Sequence, residues 1–81
     1  MKITLEDLLK IIAKSLNIKA SKINLKTKDT DLEEWDSLGQ LAILTTIDKK
    51  LKNKTSKLTK LATAESVKDI YAILKKAKLI N

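Results

Sequence analysis

Asp36-Ser37-Leu38-Gly39-Gln40-Leu41-Ala42-Ile43-Leu44-Thr45-Thr46-Ile47-Asp48-Lys49-Lys50-Leu51 is the stretch on which the fold turns. Apolar side chains at 38, 41, 42, 43, 44, 47 and 51 are too many for a single stripe, so residues 37–51 read as an enclosed helix, apolar around more than half its circumference. Asp36 is a good N-cap, because its carboxylate can accept an orphan N–H of the first turn. Gly39 is the only glycine in the chain and stands inside that first turn, where it costs about 1 kcal/mol relative to alanine. Its presence there implies that something approaches the backbone closely.

Upstream, Leu5, Leu8, Leu9, Ile12, Ala13 and Leu16 recur at the spacing of an amphipathic helix, which predicts helix one over about 4–17. Thr4 caps it, and Asp7 complements its positive end. Residues 18–36 show no sustained period and read as a long ordered loop, with Ile18, Ile23, Leu25, Leu32 and Trp35 as its apolar anchors. The alternation at Ile23, Leu25 and Thr27 is not read as a strand, because no second strand is available to pair with it. Downstream, residues 49–57 form a polar turn, Leu58, Leu61 and Ala62 predict a short helix three over about 58–63, and Ser66 with Asp69 caps helix four over about 66–78. The expected fold is all-α: one domain over residues 1–81, a four-helix bundle of three long helices and one short one. Leu9, Ile12, Leu41, Leu44, Ile70 and Leu74 are its expected shared core.

Composition narrows the chemistry. The 81 residues hold 17 basic and 10 acidic side chains, no cysteine and no histidine. Disulfides, thiol nucleophiles, imidazole bases and the usual zinc ligands are therefore excluded, and most self-contained enzyme chemistries with them. The chain reads as a non-enzyme. No stretch approaches the ~18 apolar residues of a membrane span, and the start of the chain meets Glu6 and Asp7 before any long apolar run. It reads as cytoplasmic.

The positive charge is all lysine, without the arginine fork that grips phosphate or guanine, and only Trp35 and Tyr71 could stack on bases. Charge is also segregated: residues 1–28 carry +5, residues 29–48 carry −6 with no lysine, and residues 49–81 carry +8. A small basic nucleic-acid binder would use lysine faces on helices one and four, yet the distinctive segment of this chain is the acidic one. A membrane-surface or adaptor bundle rests only on lysines along amphipathic helices. Neither alternative accounts for the residues at 36–38.

Asp36-Ser37-Leu38, opening the second helix after a long loop and following Leu32-Glu33-Glu34-Trp35, resembles the acyl carrier and peptidyl carrier protein family. The likeness covers essentially the whole chain, in the order helix, long loop, motif, helix, short helix, helix. It implies that Ser37 carries 4′-phosphopantetheine, taken from coenzyme A by a separate Mg²⁺-dependent phosphopantetheinyl transferase, and that acyl or aminoacyl groups travel as thioesters on its thiol. A phosphodiester on the first helical residue is favoured by the helix dipole and nearby N–H groups. The family pattern also implies partner contacts at Glu33, Glu34, Trp35, Asp36, Leu38, Gln40 and Asp48, with Trp35 first an anchor of the loop, and an acyl cleft along Leu41, Leu44 and Ile47. Expected partners are the transferase, a loading ligase or transferase, and downstream acyl-transfer enzymes, with the carrier a monomer. Family members serving bulk fatty-acid synthesis have an acidic helix two; here that stripe shrinks to Asp48, followed by Lys49 and Lys50. The departure favours a dedicated biosynthetic carrier, with the general fatty-acid carrier as the alternative.

Overall fold

A computed structural model describes residues 2–55 and 58–81. Three α-helices carry the fold: α1 (Leu5–Leu16), α2 (Ser37–Lys50) and α3 (Val67–Lys76). Short 3₁₀ turns lie at Ala20–Lys22, Asp29–Asp31 and Thr59–Thr63. No strand occurs among the described residues, only two isolated bridges, Ile3 with Ile80 and Lys28 with Ser66.

Caps set the ends of α1 and α3. At α1, Thr4 Oγ1 accepts from the Asp7 N–H and Asp7 Oδ2 accepts from the Thr4 N–H, both at 3.0 Å, closing a capping box. Asn17 ends the helix in the left-handed conformation at φ 57°. At α3, the Asp69 N–H donates to Ser66 Oγ at 3.1 Å. The expected helix four is thus α3, with Ser66 as its cap and its last helical residue at Lys76. The expected helix three is a five-residue 3₁₀ turn instead of an α-helix. No side chain caps it, and five residues are too few to sustain i→i−4 bonding. α2 ends at Lys50, one residue short of the expected 51, so Lys49 and Lys50 of the polar stretch over 49–57 are helical and the turn begins at Leu51. Ser56 and Lys57 lie outside the described residues.

Leu8, Ile12, Ile43, Ile47, Leu51, Val67, Ile70, Leu74 and Ile80 are fully buried. Of the expected core, Ile12, Ile70 and Leu74 are buried, while Leu9 and Leu44 are half-buried and pack against its edge. Leu41 departs from the expectation: it is 60% exposed. The cause is the choice of face on a helix with almost no amphipathic bias. The buried row of α2 is Gly39, Ile43, Ile47 and the C-cap Leu51, four residues apart, and Leu41 lies off that row. The loop anchors divide similarly, with Ile23 and Trp35 buried, Ile18 and Leu32 half-buried, and Leu25 exposed.

Pairings distant in sequence close the fold. The Ile3 N–H donates to Leu79 O at 3.1 Å and the Asn81 N–H to Ile3 O at 2.8 Å, which buries Ile3, Leu79 and Ile80. The Asp29 N–H donates to Glu65 O at 2.7 Å and the Val67 N–H to Thr27 O at 3.0 Å, so the long loop is held against the start of α3.

Candidate functional site

The site is built around the start of α2. Asp36 Oδ1 accepts from the Gly39 N–H at 2.8 Å, and Asp36 O accepts from the Gln40 N–H at 2.8 Å, so Asp36 is the working N-cap. Ser37, the first helical residue, is exposed and makes no side-chain hydrogen bond with another described residue. Its hydroxyl stands at the positive end of a 14-residue helix.

What holds that helix start in place is less obvious from sequence. A β-carbon built on Gly39 would overlap the carbonyl oxygen of Glu34 and come within 2.7 Å of Leu16 Cδ2. The first turn of α2 therefore presses directly against the loop backbone and α1, which is the close approach that the lone glycine implied. Trp35 is only 5% exposed, and its indole N–H donates to Gln40 Oε1 at 2.6 Å. Gln40 Nε2 in turn donates to Leu61 O at 3.0 Å and Ala64 O at 3.1 Å, with Ala62 O at 3.4 Å. One amide thus ties the loop before Ser37, the helix after it and the 59–63 turn together.

Between these elements opens a depression of about 580 Å³, lined by Asp29, Trp35, Asp36, Ser37, Gln40 and residues 62–65. Its rim is acidic through Asp29, Asp36 and Glu65, and Glu33 and Glu34 are exposed just upstream. On the outer face of α2, Leu38 is 77% exposed and Leu41 lies one turn further along. The pair is an apolar patch beside Ser37 and carries no charge.

The remaining sequence candidates fall elsewhere. Asp48 is half-buried, and its Oδ1 accepts from Thr55 Oγ1 at 2.5 Å and the Thr55 N–H at 3.3 Å, fastening the turn after α2. Leu41, Leu44 and Ile47 run from exposed to fully buried along α2, and none of the three lines the depression at Ser37. Sequence reasoning missed the wall formed by residues 62–65 and the bridging role of Gln40; Gly39 was the one signal of tight packing here. No histidine exists to activate Ser37, and among the described residues no group of three or more acidic side chains is placed to hold a metal ion. No described helix is long and apolar enough to cross a membrane. The chain matches no protein-family model, no curated protein and no solved structure.

Proposed function

We propose that the chain is a carrier protein whose Ser37 holds a 4′-phosphopantetheine arm, on which acyl or aminoacyl groups ride as thioesters. The observation that carries this reading is the exposed, unengaged Ser37 hydroxyl at the first position of α2, flanked by the capping Asp36 and the exposed Leu38. The residues suit the group. A phosphodiester there meets the helix dipole and solvent, and the open depression beside it leaves room for the arm to leave the surface. In the attachment step Ser37 Oγ gains the bond to the phosphorus that bears pantetheine, the diphosphate P–O bond of coenzyme A breaks with adenosine 3′,5′-bisphosphate as the leaving group, and the hydroxyl proton passes to a base on the transferase.

On this reading the 59–63 turn stands in for the short third helix of a four-helix carrier, and Gln40 secures it. The acidic approach at Glu33 and Glu34 and the apolar pair Leu38 and Leu41 form the surface that partner enzymes meet. A helix two that is neutral until Asp48 fits a dedicated biosynthetic carrier better than one serving general fatty-acid synthesis, since rim charges govern encounter and discrimination. The test is intact mass after incubation with coenzyme A, Mg²⁺ and a broad-specificity phosphopantetheinyl transferase. One phosphopantetheine should add to the wild type and none to Ser37→Ala. Failure of several such transferases to modify folded protein, or modification at another serine, refutes the proposal.

A further inference from the structure

We propose that the cleft between α1 and the C-terminal half of α2 is a second docking surface, one that receives an acidic, leucine-bearing segment of a partner protein. The cleft has a volume of about 410 Å³ and is lined by Asp7, Lys10, Ile11, Lys14, Thr46, Lys49 and Lys50. Four lysines from two helices therefore face one concavity. Lys10 pairs with Glu6 at 3.4 Å, the only ion pair among the described residues, so Lys14, Lys49 and Lys50 have no ion-pair partner among them within 4 Å. Asp7 belongs to the lining; its carboxylate accepts from the Thr4 N–H in the α1 capping box and its charge also acts on Lys10 and Lys50, so the four lysines outnumber it and the cleft stays net positive.

The floor is apolar for a definite reason. Ile11 is buried, Thr46 Oγ1 donates to Ala42 O at 2.8 Å, and Ser15 Oγ donates to Ile11 O at 2.8 Å and to Thr46 Oγ1 at 3.2 Å. The hydroxyls are turned onto backbone and each other, which leaves aliphatic surface at the base and ammonium groups on the rim.

Charge complementarity selects the occupant. Lysine ammonium groups attract any anion as point charges, so the occupant is set by their spread: four of them spaced around an apolar floor match several separate carboxylates about an apolar side chain, which one small anion cannot supply. A concave cleft suits a protruding protein segment better than the plane of a bilayer. Lys49 lies twelve residues after Ser37, about 18 Å along the helix axis, so an occupant of the cleft leaves the serine open. The inference does not depend on what Ser37 carries.

Amide chemical shifts of isotope-labelled full-length protein, titrated with a short blocked peptide of glutamate and leucine at low ionic strength, test it. The largest shifts should fall in residues 7–14 and 46–50. The triple variant Lys14→Glu, Lys49→Glu, Lys50→Glu should weaken binding roughly tenfold, an effect in the range expected of docking charges. The α3 triple Lys68→Glu, Lys75→Glu, Lys76→Glu changes net charge equally and should weaken it far less. If a glutamate triple loses its helical circular dichroism, the corresponding glutamine triple replaces it, with the same ranking expected. Equal weakening by both triples, or shifts scattered over the surface, overturns the proposal. Equally tight binding at these residues by inorganic phosphate, or by phosphatidylglycerol vesicles, overturns it in favour of a small anion or a lipid surface.

Discussion

Gly39→Ala tests the packing that positions Ser37, because helix propensity and sterics push it in opposite directions. Propensity favours alanine by at most about 1 kcal/mol. Against this, the new methyl would overlap the Glu34 carbonyl oxygen and stand 2.7 Å from Leu16 Cδ2, well inside the ~3.5–4.0 Å at which carbons pack. Leu16 is buried, so its side chain has little room to turn aside. The Glu34 carbonyl is backbone, and its neighbours are held by the Trp35 N–H to Leu32 O bond at 3.1 Å and by the indole bond to Gln40. Relief therefore requires residues 32–36 to move as a block or α2 to pull away from α1. Overpacking costs about 1–3 kcal/mol, and an overlap with backbone places this one at about 2–3 kcal/mol, so subtracting the propensity gain leaves a net loss of roughly 1–2 kcal/mol.

For a domain of this size such a loss lowers the melting temperature by roughly 4–16 °C. Urea melts followed by helical circular dichroism should show a lower midpoint at unchanged slope. Trp35, the only tryptophan, adds a local probe, since a displaced indole is more exposed and its emission shifts to the red. Gly39→Ala melting at or above the wild-type urea concentration, with unshifted emission, would refute the tight seat assigned to the start of α2.

Three further outcomes follow from the same contacts. Ile47→Ala, in the fully buried row of α2, should cost about 2–5 kcal/mol in denaturant melts, whereas Leu41→Ala, on its exposed face, should stay within about 0.5 kcal/mol; the reverse order would mean the helix faces the core differently. Gln40→Ala should cost about 1–3 kcal/mol and red-shift Trp35 emission, because it strands the indole N–H and the Leu61 and Ala64 carbonyls; unchanged stability and emission would dissolve the bridge. Asp7 has its pKa held below the ordinary aspartate value, first by the Thr4 backbone N–H and then by the Thr4 hydroxyl. Its stabilising effect is then complete above the unfolded-state pKa and disappears as pH falls through the lower folded one. Asp7→Asn should accordingly melt below wild type at pH 7, by a gap that narrows as pH falls through the folded-state pKa and the carboxylate takes up its proton; a gap that stays undiminished as the pH is lowered would show that the carboxylate charge is not its source.

How far the fold was legible depended on whether its information was local. α1 and α3 each carry one apolar stripe and a Thr-x-x-Asp or Ser-x-x-Asp cap, so period and boundary agree, and both helices lie where the periodicity put them. α2 is apolar nearly all round, and periodicity cannot choose a face there. The residue that marks the buried row is Gly39, which has no side chain to register as hydrophobic. The 59–63 segment was ambiguous for another reason: Leu58, Leu61 and Ala62 satisfy a 3₁₀ turn as well as a helix, and only the hydrogen-bond pattern separates the two. The bridge between Ile3 and Ile80 joins the two ends of the chain, and nothing in either local sequence names the other.

The same division runs through the site. Asp36 as cap and Ser37 as an exposed first-turn residue follow from neighbours within a few positions, whereas the Gln40 bridge needs carbonyls more than twenty residues away. Charge shows how a linear pattern becomes a spatial one. The acidic block of residues 29–36 ends where α2 begins, and the lysines at 49 and 50 stand where it ends, so each sign sits at the helix terminus that its dipole favours. The two ends lie about 18 Å apart along the axis, roughly twice the ~8 Å screening length at physiological salt. A partner drawn to one end is therefore only weakly aware of the other, and the +7 net charge describes neither surface that a partner would meet.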